Sequence, residues 1–149
     1  MTEQGKISAA AGGTPALRFI QTDDIHLVPR QLLAQVKDYD WTPEEVYAAW
    51  PLFNNPANLL YVLADKNHLV KGVVWLSVLL LQKTLFINLV SLDKAHQGRG
   101  FVQKQLHPFM RQLSKKLGFK EPYKGITRRP EAFGRLGFKR SCDVMVEGE

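Results

Sequence analysis

The stretch Lys94 to Leu106, KAHQGRGFVQKQL, concentrates residues that could do chemistry. Gln97, Gly98, Arg99 and Gly100 put two glycines one residue apart, where an apolar run gives way to a helical pattern. Backbone N–H groups at such a junction are not used by the helix, and its dipole leaves partial positive charge there. Glycine lets the backbone come close to a ligand, so the junction suits a phosphate group. It is not a Walker loop, because the GxxxxGK pattern followed by Ser or Thr is absent. Nor is it a dinucleotide fingerprint, because the third glycine is missing and no βαβ unit opens the chain. On spacing alone, a phosphate cradle and a ligand-free turn are equally good readings. Two neighbours titrate: Asp93 could serve as a general base or stay a solvated loop carboxylate, and His96 could shuttle protons or simply face water.

The 149 residues fit one domain, and 45% hydrophobic with 23% charged residues is the balance of an ordinary globular protein. The one cysteine, Cys142, excludes an internal disulfide and a cysteine-based zinc site. The longest apolar stretch, Gly72 to Leu81, is too short to cross a bilayer, and no signal-peptide pattern flanks it. A soluble, cytoplasmic chain without a membrane partner or a metal is the expectation. The net charge of +6 is uneven: residues 94–140 carry thirteen Lys or Arg against Glu121 and Glu131. That bias suggests an anionic ligand on the basic half and a cationic one opposite, although a solvated helix face explains much of it. Nucleic acid is disfavoured, since no Lys/Arg run with interleaved aromatics appears.

The elements that must position these residues follow from periodicity. Residues 1–15 are small and Gly-rich and read as a mobile tail, leaving 16–149 as a single domain. ALRFIQ reads as a strand, and Ile25, Val28, Leu32, Leu33 and Val36 fall at helical spacing, with Pro29 early in that helix. Thr42, Pro43 and Glu45 form the start signal of a second helix. NLLYVLAD and HLVKGVVWLSVLLL flank the short turn DKN as a hairpin, and KTLFINLVSL is the next strand. Their apolar density predicts a sheet covered on both faces. Phe101, Val102, Leu106, Phe109, Met110, Leu113 and Leu117 trace a helical stripe ending at Gly118, with Pro108 inside expected to kink it. A short strand in YKGIT, a helix in RPEAFGRL ending at Gly137, and a last strand in FKRSCDVMV complete a β-α-α-β-β-β-α-β-α-β order.

With that context the chain resembles the GNAT superfamily of acyl-CoA-dependent N-acetyltransferases, as a divergent member. The family's pyrophosphate loop has Gln or Arg, two free positions, Gly, a free position, then Gly or Ala. Gln97-Gly98-Arg99-Gly100-Phe101 matches five of these six positions. Its C-terminal pattern is echoed by TRRPEAFGRLGFKR, Thr127 to Arg140. The resemblance implies an α/β (α+β) fold: a mixed, mostly antiparallel sheet with helices on both faces and splayed fourth and fifth strands. Acetyl-CoA would lie between those strands. The backbone of Val90, Ser91 and Leu92 would pair with its pantetheine arm. The amides of Gln97, Gly98, Arg99, Gly100, Phe101 and Val102 would hold the pyrophosphate, with Lys94, Arg99 and Lys104 as a basic surround.

Three positions depart from the family pattern. Val102 stands where Gly or Ala is usual. Asn88 aligns with a carboxylate base, and an amide cannot take a proton from an ammonium at neutral pH. Phe133 replaces a tyrosine that would protonate the leaving thiolate. Asp93 and His96 are candidate substitutes for the base, and Tyr123 for the phenol. Asp40, Glu44 and Glu45 could attract a cationic acceptor, and Trp41 and Trp50 could line its cleft. Capping, dipole complementarity and core packing explain these residues as well. The implied function is transfer of an acetyl group from acetyl-CoA, or a related acyl-CoA, to a primary amine on a small molecule or protein. Catalysis would rest on positioning, a backbone N–H near Leu92 and a water-relayed base, with Asp93, Tyr123 and Asn88 as its candidate residues. The alternative is a catalytically lapsed binding or structural module of the same fold, for instance in an assembly or phage particle.

Overall fold

A computed structural model describes residues 16–37, 40–120, 123–125 and 130–139. The expected tail, the last strand beyond Lys139 and Cys142 lie outside the described residues. Strands β1 (Arg18–Thr22), β2 (Asn58–Ala64), β3 (Val70–Leu79), β4 (Thr84–Leu92) and β5 (Lys124–Gly125) form one sheet in chain order. All neighbours are antiparallel except β4 and β5, which run parallel. Helices α1 (Arg30–Ala34) and α2 (Pro43–Phe53) precede β2, α3 (His107–Lys116) follows β4, and α4 (Pro130–Gly134) follows β5. This is the mixed, mostly antiparallel α+β architecture that the sequence implies. Among the described residues, no helix is long and apolar enough to cross a membrane.

Alternation along the central strands divides the core in two. Leu60, Val62, Val73 and Trp75 pack against Leu32, Leu33, Val46 and Trp50 of α1 and α2. Their neighbours Tyr61, Leu63, Val74 and Leu76 pack on the other face against Phe101, Leu106 and Met110. Successive strand residues point to opposite faces, so both faces are apolar only when both are covered.

The expected first helix is shorter than its periodicity. Ile25–Leu27 makes a 3-10 turn, Val28 is extended (φ −87°, ψ 118°), and α1 begins only after Pro29. A residue before proline is pushed out of the α region, so Pro29 is the helix N-cap and not an early member of the helix. At α2 the expected capping box is present: Glu45 N–H donates to Thr42 Oγ1 (3.1 Å) and Thr42 N–H donates to Glu45 Oε1 (2.8 Å). The DKN turn is held by Asp65, whose Oδ1 accepts from the N–H groups of Asn67 and Leu69. Those bonds, with Leu69 first, hold its carboxyl below the ordinary range.

The helix after the glycine loop solves the Pro108 problem with a wide turn. Val102–Leu106 is π-helical, with His107 N–H donating to Val102 O, and Pro108 falls at the start of the α-helical part. Five-residue hydrogen bonding lets the chain pass a residue that has no N–H to give. The helix ends as expected at Gly118 (φ 77°), where Phe119 N–H reaches Ser114 O and Gly118 N–H reaches Lys115 O.

Gly72 leaves no room for a side chain between β2 and β4. A Cβ there would lie 2.7 Å from Leu63 Cδ1, 2.9 Å from Leu92 Cδ2 and 3.1 Å from the Ser91 carbonyl. Gly72→Ala is expected to destabilise the fold by about 1–3 kcal/mol, read as a lower urea midpoint at unchanged slope.

Candidate functional site

The site begins on β4 just beyond its described pairing with β5. Pairing with β3 runs Gly72↔Leu92, Val73↔Ser91, Trp75↔Leu89 and then Leu76↔Ile87, so Asn88 is the extra residue of a β-bulge. Pairing with β5 covers Phe86 and Ile87 and goes no further among the described residues. Asp93 N–H donates to Lys71 O (2.7 Å), which fixes the alternation beyond the bulge. The backbone groups of Ser91 and Leu89 therefore face β3, and those of Val90 and Leu92 point away from it. Two side chains occupy part of that edge. The Leu92 carbonyl accepts from Gln35 Nε2 and from Gln97 Nε2, both at 2.8 Å, and Gln35 also donates to Ser91 Oγ (2.9 Å). Of the three residues expected to meet an extended ligand arm, Val90 and Leu92 present main-chain groups to it. Ser91 presents a buried hydroxyl held by Gln35.

Beyond the edge, Lys94–His96 forms a 3-10 turn that leads into the glycine loop. Gly98 (φ 71°) and Gly100 (φ 80°) both adopt the left-handed conformation. A Cβ on Gly98 would meet nothing within 4 Å, so glycine is required there by backbone conformation and not by space. Among the described residues, no backbone hydrogen bond uses the N–H of Gly98, Arg99 or Gly100. These amides line a groove with Leu17, His96, Phe101, Lys104 and Gln105. Gln105 fixes one wall by accepting from Leu17 N–H (2.8 Å), and Arg99 Nε folds back onto Ala95 O (2.9 Å). Val102, the departure from the family loop, starts the π turn and packs at the margin of the core.

The candidate acid–base groups are spread over three places. Asp93 ends β4 with its carboxylate 4.0 Å from Lys71 Nζ and 3.9 Å from His96 Nδ1. His96 Nδ1 is buried and has no hydrogen-bond partner among the described residues. Asn88 lies on the α1/α2 face of the sheet and donates through Nδ2 to Ser77 Oγ (2.6 Å). Tyr123 is buried on the α3 face, with its hydroxyl 2.5 Å from His107 Nδ1. His107 Nε2 lies 3.0 Å from the Leu136 carbonyl, which can only accept, so Nε2 carries the proton of the neutral ring. Nδ1 is then an acceptor, and Tyr123 O–H donates to it. Phe133 packs edge-to-face on Phe138, with ring centroids 5.6 Å apart.

Of the carboxylates expected near an acceptor, Glu44 is paired with Arg30 Nε (2.6 Å) and Glu45 is held in the capping box. Gln35, His107 and the pair Asn58 and Ser77 were not singled out by sequence reasoning. Their partners lie 11 to 57 residues away, and no local spacing marks such contacts. Among the described residues, no group of three His, Cys, Asp or Glu is placed to hold a metal.

This arrangement, a bulged β4 running into a glycine loop and α3, is shared in fold with solved acetyltransferases. No protein-family model matches the chain, and no curated protein sequence matches it. Solved structures match it closely in fold. A possible acetyltransferase from Clostridium difficile 630 superposes with a TM-score of 0.65 at 12% identity, over 90% of this chain and 97% of that one. The aminoglycoside-modifying AAC(6')-Iy, solved with the bisubstrate analog CoA-S-monomethyl-acetylneamine, gives 0.63 at 13% identity, over 89% and 97%. Spermidine N-acetyltransferase from Vibrio cholerae gives 0.62 at 14% identity, over 83% and 77%. At these identities the likeness is one of fold.

Burial raises the Tyr123 phenol above its ordinary value of 10.0, so the folded state keeps a proton that the unfolded chain releases at high pH. Its contribution is complete below pH 10 and is lost as pH rises through the folded value. Tyr123→Phe is expected to cost about 1 kcal/mol at neutral pH and to flatten the loss of stability above pH 10, measured by urea unfolding at pH 7 to 11.

Proposed function

We propose that the chain binds acetyl-CoA, or a related acyl-CoA, and transfers the acyl group to a primary amine. One observation carries this reading: the amides of Gly98, Arg99 and Gly100, which no backbone hydrogen bond uses among the described residues, lie just before the π turn that leads into α3, and they follow a β4 whose Val90 and Leu92 have no second strand partner among the described residues. The Gln97 N–H, expected among the phosphate donors, already donates to Lys94 O (3.2 Å), so the pyrophosphate would be held by the amides of Gly98, Arg99, Gly100, Phe101 and Val102, with Lys94, Arg99 and Lys104 supplying positive potential. The pantetheine arm would extend along Val90 and Leu92 as an added strand. Likeness in fold to solved acetyltransferases, one of them holding the bisubstrate analog CoA-S-monomethyl-acetylneamine, supports the acyl-CoA reading.

In the reaction the amine nitrogen attacks the thioester carbon. A C–N bond forms, the C–S bond breaks with its electron pair left on sulfur, and the nitrogen sheds one proton. The outward N–H groups of β4, near Leu92, suit the developing oxyanion. Asp93, between Lys71 and His96, is the proposed proton acceptor through water, and Asn88 positions the amine. The Tyr123 proton is committed to His107, which favours a structural role for that pair and leaves the thiolate to solvent. The amide at Asn88 and the phenyl ring at Phe133 favour a second reading, a CoA-binding module without turnover.

Ligand that binds only the folded state stabilises it by about 2.7 kcal/mol at about 100 times its Kd. Acetyl-CoA is therefore expected to raise Tm by several degrees. Gly98→Ala, strained by about 1 kcal/mol or more in the left-handed region, is expected to lower both Tm and that increment. No shift at millimolar acetyl-CoA overturns the proposal. A shift without thiol release across an amine panel selects the module.

A further inference from the structure

The α1/α2 face of the sheet carries a second feature that the CoA groove does not use. Trp75, at the centre of β3, is buried at 4% exposure, and three aromatic rings surround it. Their centroids lie 5.3 Å (Trp50), 5.6 Å (Phe53) and 6.1 Å (Trp41) away. Trp50 is a core residue locked through Nε1 to Asp23 O (2.8 Å), whereas Trp41 and Phe53 remain 44% and 39% exposed. Two partly exposed aromatics flanking a buried one form an aromatic wall.

The same Trp75 ends a polar track that leads to the bulge. Its indole N–H can only donate, so Asn58 must turn Oδ1 toward it (3.1 Å). Ser77 O–H donates to that same oxygen (3.1 Å), which leaves Ser77 Oγ to accept from Asn88 Nδ2 (2.6 Å). The donors therefore run in one direction, and Asn88 Oδ1 is turned away from Ser77. No hydrogen bond among the described residues is accepted by Asn88 Oδ1. The four side chains of the track are neutral, and the bulge sets their terminal carbonyl on the face occupied by the aromatic wall.

From this juxtaposition we infer that the acceptor is a primary amine carried on a planar aromatic body, with Trp41 and Phe53 gripping the ring and Asn88 Oδ1 accepting an N–H of the amine. The inference rests on the acyltransferase reading and sharpens its acceptor. Rings stack on the wall at little entropic cost, whereas a polycation would need carboxylates. Of the carboxylates around the start of α2, Glu44 is paired with Arg30, Glu45 closes the helix cap and Asp40 is engaged in an interaction of its own. Trp41, Phe53 and Asn88 act as specificity and positioning residues.

The test compares phenethylamine and 4-methylaniline with spermidine, using thiol release from acetyl-CoA on the full chain after its CoA thermal shift has been recorded. The aromatic amines are expected to have a kcat/KM at least about tenfold higher. Trp41→Ala and Phe53→Ala should each raise the aromatic KM by about tenfold, with kcat within about twofold and the CoA shift unchanged. Asn88→Asp should move the preference toward spermidine, a change that a purely structural asparagine would not produce. A normal CoA shift with spermidine preferred overturns the inference and leaves the acyl-CoA reading intact. Where no CoA shift is seen, saturation-transfer NMR with phenethylamine decides. Transfer to the ring protons that disappears in Trp41→Ala upholds the aromatic site, and no transfer from the parent chain overturns it.

Discussion

Strand β4 is hydrogen-bonded to β3 along its length but to β5 only at Phe86 and Ile87 among the described residues, and the site depends on that imbalance. A strand edge with outward N–H and C=O groups invites pairing, and a protein must cover it, block it or use it. Here the block is partial. Gln35 and Gln97, from opposite sides of the sequence, both donate to the single carbonyl of Leu92. They fix the end of the strand and the start of the glycine loop with one atom, while the main-chain groups of Val90 have no partner among the described residues. The bulge at Asn88 aims a side chain onto the α1/α2 face.

The two faces of the sheet then divide the work. The α3 face carries the glycine loop, whose surround is basic, and the pair Tyr123 and His107 that ties α3 to the chain around Leu136. The α1/α2 face carries Trp75 and its neighbours, with the rings of Trp41 and Phe53 partly exposed. Arg99 and Lys104 of the basic half of the chain line the groove, which suits an anion. Glu44 and Glu45 stabilise α2 and its contact with α1.

Features set by a few adjacent residues were legible in the sequence. Thr42 with Glu45, Gly118 as a helix terminator and the left-handed pair Gly98 and Gly100 all follow from local backbone chemistry. The α+β architecture was legible too, through the loop motif more than through periodicity. What failed was periodicity across proline: the stripe from Ile25 to Val36 is real, yet Pro29 splits it into a 3-10 turn and a short helix. What stayed hidden were contacts between distant residues. Gln35 is an ordinary helix-end glutamine until it meets Leu92, and His107 an ordinary surface histidine until it meets Tyr123. Asn88 read as a missing base, but whether an amide there is an orphan or the end of an ordered track depends on Ser77 and Asn58.

The π turn at Val102–Leu106 bears on how this chain can change. An α-helix places residues three or four apart on one face; the wide turn instead brings Phe101 and Leu106, five apart, into the same core. It is equivalent to one inserted residue. Removing a residue there would restore an ordinary helix, but every side chain upstream would rotate by about 100° relative to α3. The glycine loop would then leave the groove that Gln105 and Lys104 help to form, or Phe101 would leave the core. Length in this segment is therefore locked in phase with the loop: single substitutions can be absorbed one at a time, whereas a deletion must be matched by a change on both sides at once.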